Sequence, residues 1–382
     1  MEVTLDKGSA ETLERRPESI EWKQLLSLTS LYGSIIIGWI AYYRYQPKLL
    51  VQFSFTDFSF LLVVAQAIIL VVTPLIAGRL GDRYRFRNGH RLPIISSGIS
   101  FAAMIFMAVA FTLVANPGEI FEWVLPILII LWLIAMSIFT SPALSTVELF
   151  TPVEKLPIAM AILTIVANLL YAMEPIIVDI IDYLGASLTF VTGGVVVFGS
   201  GYALRKNSMG LFMQGKTDTK HSMATFKLDT QRSEYRFIFF MGLSVGLATA
   251  VLFNILPGIL NEKIASYWSG ANENLLIAGV LLLAAMVSWP TSQLVSRYGL
   301  MSSFWISFAI TLVSMALIVF LQNSILVVIS VLIFSVAFAA LSVSALPLSI
   351  RKSNYYEKVL CVGIFFSGSA VPDAIMDIVG ML

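Results

Sequence analysis

Long apolar runs alternate with short polar segments along the whole chain. One such run, FLLVVAQAIILVVTPLIAG (60–78), is typical of many that recur up to the C-terminus. Because an α-helix rises 1.5 Å per residue, about twenty apolar residues cross a hydrocarbon layer roughly 30 Å thick. The pattern predicts about eleven transmembrane helices. Their ranges are 24–43, 58–78, 93–115, 123–142, 158–178, 187–204, 237–260, 274–295, 303–322, 325–349 and 359–380.

The composition supports the same fold class. Hydrophobic residues make up 58% of the 382 positions, and the mean hydropathy is +0.87. A water-soluble fold of this length needs more polar surface than such a sequence supplies. We therefore expect an all-α, polytopic membrane protein.

The basic residues lie on one side of this arrangement. If the N-terminus is cytoplasmic, the polar segments 79–92, 143–157, 205–236, 296–302 and 350–358 share its side. Of the 24 lysines and arginines, only Arg44, Lys48 and Lys263 then fall on the other side. Since cytoplasmic loops of membrane proteins carry the excess of Lys and Arg, we predict a multi-pass plasma-membrane protein with a cytoplasmic N-terminus.

The chain divides at its longest polar segment. Residues 205–236 separate the first six predicted spans from the last five, which suggests a bundle at 1–204, a cytoplasmic linker and a second bundle at 237–382. A weak internal repeat supports two pseudo-symmetric bundles. GRLGDRY (78–84) follows the second span, and SQLVSRYG (292–299) follows the eighth, with Arg297 in the place of Arg83.

The segment after the second span resembles a known signature. GRLGDR (78–83) resembles the signature loop of the major facilitator superfamily, a group of membrane transporters. More narrowly, DRYRFRNGHRLP (82–93) is similar to the D-R-x-x-x-R-x-G-x-R-x-P pattern of the glycoside–pentoside–hexuronide:cation symporters, which include melibiose and sucrose carriers. The resemblance implies two helical bundles that alternate access to a central site. It also implies twelve spans, so the twelfth helix is missing here.

The resemblance places Asp82 beside the start of the eleventh span, where a carboxylate would face the positive end of a helix dipole and could pair with Lys358. The arginines would reach acids in the next cytoplasmic segment, such as Glu148. The alternative is that these cations only fix the topology. We assign the predicted gating loop to Gly78, Asp82, Arg83, Arg87, Gly89, Arg91, Arg297 and Glu148.

Acidic residues inside predicted spans are candidates for proton coupling. A charged side chain near the bilayer centre costs about 2.5–3.5 kcal/mol on insertion scales, so such residues are usually functional. Asp373 and Glu174 are the deepest, and Asp377 and Asp179 lie nearer the outer interface. Burial disfavours the charged form, so an acid of this kind can take up and release a proton as solvent access alternates. The alternative is a set of acids at helix ends among headgroups.

Neutral polar residues near the middle of the spans could line a cavity for a hydroxylated solute. Trp39 could equally belong to an interfacial aromatic belt, and Asn168 could form an interhelical hydrogen bond. The candidates are Tyr32, Trp39, Gln66, Asn168, Tyr171 and Asn254.

We predict a secondary active transporter, a symporter of protons with a sugar or similar small organic solute. Melibiose-type carriers have aspartates in their first two spans, whereas YGSIIIGW (32–39) and ILVVTPL (69–75) contain no acid, which favours protons over sodium ions. The alternatives are an exporter of another solute class and a non-transporting membrane sensor or binding protein on the same fold.

Other classes of function lack the residues they require. Cys361 is the only cysteine, and His90 and His221 lie in polar segments, which excludes a thiolate or intramembrane histidine metal site. No nucleophile elbow or phosphate-binding glycine loop is present, so we expect no enzyme and no cofactor. The partners we expect are the solute, protons and membrane lipid, with no nucleic acid, for a protein that acts as a monomer.

Overall fold

A computed structural model of the chain describes residues 17–52, 59–115, 124–222, 232–264 and 272–380. These residues form α-helices joined by short turns, with no strand among them. The helices are α1 (Trp22–Gln52), α2 (Ser59–Asn88), α3 (Leu92–Ala115), α4 (Val124–Leu144), α5 (Val147–Phe150), α6 (Leu156–Ala172), α7 (Glu174–Leu184), α8 (Ala186–Ser222), α9 (Tyr235–Ala250), α10 (Leu256–Ile264), α11 (Glu273–Tyr298), α12 (Leu300–Phe320), α13 (Ser324–Arg351) and α14 (Lys358–Gly380).

The number of membrane spans is confirmed. The described residues contain 11 helical segments that are long and apolar enough to cross a membrane. Two of these segments join shorter helices: Val124–Phe150 contains α4 and α5, and Tyr235–Ile264 contains α9, a π-helical turn (Val251–Ile255) and α10. The all-α, polytopic fold class is therefore correct.

Several helices extend further than their apolar runs. Helix α2 continues through GRLGDRYRFRN to Asn88, so most of the predicted gating loop is helical. The prediction of a loop from residue 79 was wrong because polar residues with good helix propensity prolong a helix beyond the membrane. The helix ends at Asn88, and the next residue, Gly89, has a φ of +79°, a left-handed conformation that favours glycine.

Helix α8 likewise continues to Ser222, so the first part of the range predicted as a linker is helical. Residues 223–231 lie outside the described residues. The division of the chain into 1–204, 205–236 and 237–382 stays a prediction.

The fifth predicted span is broken in two. Helix α6 ends at Ala172, and α7 begins at Glu174 with Pro175 in its first turn. Proline has no N–H to continue the hydrogen-bond ladder of the preceding helix, so the chain changes direction there. The break places Glu174 at a helix start.

Helix α14 packs closely on two neighbours. It contacts α2 on one flank and α9 on the other, while α6 packs against α11. Glycines allow the backbones to approach: a Cβ added to Gly242 would overlap the carbonyl oxygen of Phe365, and one added to Gly363 would overlap that of Pro74. Small residues at helix contacts are the usual means of close packing in membranes.

Candidate functional site

Two groups of polar residues lie along the contact between α2 and α14, which we call the α2–α14 seam. The two helices are antiparallel, because Gly78 approaches Leu360 while Gln66 approaches Asp377. We call the two ends of the seam the Asp82 end and the Asp377 end. Sixteen residues of α2 separate Gln66 from Asp82, which corresponds to roughly 24 Å along the helix axis.

Asp82 caps the start of α14. Its side-chain oxygens accept hydrogen bonds from the backbone N–H groups of Val359 (3.1 Å) and Leu360 (2.8 Å). These N–H groups belong to the first turn of α14 and have no partner within that helix. The carboxylate also faces the positive end of the helix dipole. Gly78 and Gly81, which lack side chains, allow α14 to come this close.

Glu148 joins three segments at the Asp82 end. Its carboxylate oxygens lie 2.7 Å from Nη2 of Arg91 and 2.7 Å from Nζ of Lys358. Arg91 is 1% exposed, and it also donates from Nη1 to Oγ of Ser145 at 2.6 Å. The network connects the residue before α3, the short helix α5 and the first residue of α14.

The remaining residues of the predicted gating loop do not join this network. Arg83, Arg87 and Arg297 are exposed. Ser296, which replaces aspartate in the repeated motif, donates to its own helix at Ser292 O (2.9 Å). The second copy of the motif therefore builds no counterpart of the Asp82 cap.

Sequence reasoning missed two buried residues at the Asp82 end. Ser145 is the hydroxyl partner of Arg91, and Arg85 is only 7% exposed although its neighbours Tyr84 and Arg87 are exposed. Helical spacing could have found Arg85, because it lies three residues after Asp82 and so on the same face. No local signal identifies Ser145.

A chain of hydrogen bonds crosses the Asp377 end. Oη of Tyr42 on α1 donates to Oε1 of Gln66 on α2 at 2.6 Å. Nε2 of Gln66 donates in turn to Oδ2 of Asp377 on α14 at 3.4 Å. Tyr42 and Gln66 are buried, and Asp377 is half-buried. The chain connects the first two spans to the last described helix.

Asp373 lies one turn before Asp377 on the same helix. It is half-buried and within electrostatic range of Tyr43 and Tyr171. Tyr171 is in turn within range of Tyr32 and of Glu174 at the start of α7. The structure thus brings four of the predicted candidates into one neighbourhood around Asp373. No group of three His, Cys, Asp or Glu side chains among the described residues could hold a metal ion there.

The other candidates are placed differently. Asp179 is exposed on α7. Trp39 is half-buried and packs its ring on Trp132 (centroids 5.1 Å apart) and Tyr42 (5.7 Å), so it belongs to aromatic packing among the first helices. Asn168 is 5% exposed, and its Nδ2 has no hydrogen-bond partner among the described residues.

Asn254 lies in the π-helical turn of the seventh span. Its side chain is exposed, and Nδ2 donates to Ala250 O at 3.0 Å. The neighbouring Phe253 packs against Tyr171 of α6, with ring centroids 5.3 Å apart. Turns of π-helix are frequent at functional sites because they redirect side chains within a helix. This turn faces the neighbourhood of Asp373 through Tyr171.

A separate ion cluster fastens α7 to α1. Asp182 accepts hydrogen bonds from Arg44 Nε (3.1 Å) and Lys48 Nζ (3.1 Å). The hydrogen bonds from Arg44 and then Lys48 lower the pKa of Asp182 to about 2. This acid therefore stays ionised at any ordinary pH, unlike a group suited to proton transfer.

Comparisons with known proteins agree with this architecture. The sequence profile described as Major Facilitator Superfamily matches residues 24–372. No curated protein shows a significant sequence match.

Solved structures are similar in fold. A bacterial homologue of the iron transporter ferroportin, in an outward-facing state, has a TM-score of 0.64 at 18% identity, over 94% of this chain and 91% of that one. The structure of the same homologue with soaked iron has a TM-score of 0.63 at 17% identity, over the same shares of the two chains. A proton:xylose symporter bound to 6-bromo-6-deoxy-D-glucose has a TM-score of 0.58 at 13% identity, over 93% of this chain and 88% of that one.

Proposed function

The chain belongs to the major facilitator superfamily, which makes it a membrane transporter rather than an enzyme, and from this premise we propose proton-coupled transport of a sugar or similar small organic solute. The observation that carries the proposal is Asp373, a half-buried carboxylate close to Tyr43, Tyr171 and Asp377. The narrower kinship with melibiose and sucrose carriers is part of the proposal.

Asp373 and Asp377 are the proposed proton-binding groups. Two carboxylates one helical turn apart disfavour each other's ionisation, and burial disfavours it further. One proton shared by the pair relieves both effects. Glu174 is the proposed third acid because it, like Asp373, lies within electrostatic range of Tyr171.

The proposed solute site is the neutral polar lining around these acids. Tyr32 and Tyr171 offer hydroxyl groups, and Asn168 offers a buried amide donor without a partner in the described residues. A hydroxylated solute would satisfy such groups, because an unpaired buried donor costs about 1–3 kcal/mol. Trp39 would act behind this lining, as a support for Tyr42.

The proposed gate is the Asp82 end of the seam. The Asp82 cap and the contacts of Glu148 with Arg91 and Lys358 hold α14 against α2 and α5. Breaking these contacts would let the two predicted bundles rock apart at this end. We place this end and the N-terminus in the cytoplasm, with the protein acting as a monomer in the plasma membrane.

Solute flux in proteoliposomes tests the proposal. With a pH gradient imposed, sugars should accumulate on one side, and the Asp373→Asn and Glu174→Gln variants should lose accumulation while keeping exchange at equal pH. Asp179→Asn is the matched control, because Asp179 is exposed and should keep accumulation. Accumulation by both core variants at the parent's level would refute proton coupling through these acids.

Export of a cationic solute is the rival function. Asp373 lies close to Asp377, and no basic residue is among the described groups that act on these two acids or on Glu174, an arrangement that also suits a cation. The same vesicles distinguish the two: a cation that collapses the pH gradient, with no response to sugars, favours the rival. The absence of saturable flux for every solute would favour a sensor.

A further inference from the structure

Gln66 on α2 forms hydrogen bonds both with Tyr42 on α1 and with the carboxylate of Asp377 on α14. It is 3% exposed, so water does not compete freely for its amide. Its 3.4 Å bond to Asp377 is longer than the usual range of about 2.7–3.2 Å, so it is the weaker of the two hydrogen bonds.

Tyr42 determines how the amide of Gln66 is oriented. A glutamine side chain has one acceptor end and one donor end. The hydroxyl of Tyr42 occupies the acceptor end at 2.6 Å, so the donor end faces Asp377. Tyr42 is itself held by stacking on Trp132, with ring centroids 4.7 Å apart. The donor is therefore directed at the carboxylate before any proton moves.

The strength of this contact depends on the charge of Asp377. A hydrogen bond to an ionised carboxylate is roughly twice as strong as one between neutral groups. When Asp377 binds a proton, its bond to Nε2 of Gln66 weakens. Conversely, a donor that prefers the ionised form makes the carboxyl group harder to protonate.

The other titratable groups near Asp377 do not replace this effect. Asp373 faces it from α14, and Tyr42 and Tyr43 face it from α1. Helix α2 presents the neutral Gln66, and no titratable group of α4, α9 or α13 acts on Asp377 among the described residues. Among these groups, Gln66 is the one that donates a hydrogen bond to the carboxylate of Asp377.

We propose that Gln66 is a positioning residue that links protonation of Asp377 to the closure of the seam at the Asp377 end. The ionised acid holds α2 and α14 together there through Gln66, and the protonated acid releases them. The role in transport rests on the proposed proton coupling. The link between the side chains of Gln66 and Asp377 does not depend on proton coupling.

Infrared titration of the full-length protein in lipid tests the link. The carboxylic C=O band of Asp377, assigned as the band lost in Asp377→Asn, is followed against pH. In Gln66→Met the pH of half-protonation should rise by about one unit, because a bond to a charged group is removed. Tyr42→Phe should raise the pH of half-protonation by a smaller amount, because the amide of Gln66 loses its hydrogen bond from Tyr42.

Gln24→Met is the matched control. Gln24 donates to the backbone oxygen of Asn207 at 3.2 Å, in a different part of the helix bundle, and its loss should leave the Asp377 band unchanged. If Gln66→Met moves the midpoint by less than about 0.3 unit, the proposal is overturned. Should that variant fail to fold, an unshifted midpoint in Tyr42→Phe overturns it instead.

Failure of the proposed function gives a different result. If no pH-driven flux is found while Gln66→Met still shifts the midpoint pH of the Asp377 band, the Gln66–Asp377 link is supported and proton coupling is refuted. If flux is proton-coupled and Gln66→Met leaves the midpoint pH unchanged, proton coupling is supported and the proposed role of Gln66 is refuted.

Discussion

At the scale of single residues, Glu148 neutralises two cations that lie inside the fold. Its side chain is 6% exposed, and Arg91 beside it is 1% exposed. Removing one partner of a buried ion pair leaves an uncompensated charge, which is far more costly than the net contribution of the intact pair. The network at the Asp82 end therefore depends on this carboxylate.

We expect Glu148→Gln to destabilise the protein by about 3–5 kcal/mol, because Arg91 and Lys358 lose their counter-ion. Glu154→Gln should change the stability little, because Glu154 is exposed. Chemical unfolding in detergent compares the two variants. Equal unfolding midpoints for the two would contradict a structural role for the Glu148 network.

The single cysteine reports on the Asp82 cap. Cys361 is fully buried, directly after Leu360, whose N–H is bound by Asp82. In Asp82→Asn the amide accepts at only one atom and carries no charge, so the cap weakens by about 1 kcal/mol. The rate of thiol labelling at Cys361 should therefore rise about fivefold. Arg83→Gln changes an exposed residue, so Cys361 in that variant should be labelled as slowly as in the parent.

At the scale of elements, the sequence predicted which segments cross the membrane but not where each helix ends. Apolar runs identify a span because hydrocarbon excludes polar side chains. They give no signal for the extension of α2 to Asn88, which is polar and still helical. The pairing of Gln66 with Asp377 was equally hidden, because residues 311 positions apart meet only through helix packing.

Glycine contacts should control the packing of α14. Gly242→Ala would force a Cβ onto the carbonyl of Phe365, and overpacking of this kind typically costs about 1–3 kcal/mol. Gly258→Ala is the control, because nothing lies within 4 Å of the added Cβ. We expect a lower unfolding temperature for the first variant alone. Similar unfolding temperatures for the two variants would mean that α9 and α14 can move apart to make room for the added Cβ.

The ion cluster on α7 should resist acid. The pKa of Asp182 is lowered to about 2, so its contribution to stability is present above its unfolded value of 3.8 and is lost only as the pH falls towards 2. After correction for the intrinsic exchange rate, the protection of α7 should thus be the same at pH 7 and pH 4.5. Faster exchange at pH 4.5, corrected for the intrinsic rate, would show that another acid holds α7.

At the scale of the whole molecule, six of the candidate spans lie between the N-terminus and residue 222. An even number of crossings returns the chain to its starting side, so residue 222 and the N-terminus should share one face of the membrane. Epitope tags at position 1 and between residues 223 and 231 should both be protected in right-side-out vesicles. Protection of one tag alone would refute the predicted topology.

The architecture as a whole could be predicted from sequence because hydrophobicity and one motif specify it. Which of the candidate residues lie near one another could be predicted only in part, and their role as a site stays a prediction. Asp373 and Glu174 both lie within electrostatic range of Tyr171, whereas Trp39 packs against other aromatic rings and Asp179 is exposed. Sequence gives the depth of a side chain but not the direction in which it points.

The backbone contact of Gly363 with Pro74 leaves no room for a molecule between these two helices. The α2–α14 seam is therefore closed at this height. An acyl chain from the bilayer would therefore have to part the two backbones before it could insert between α2 and α14 here.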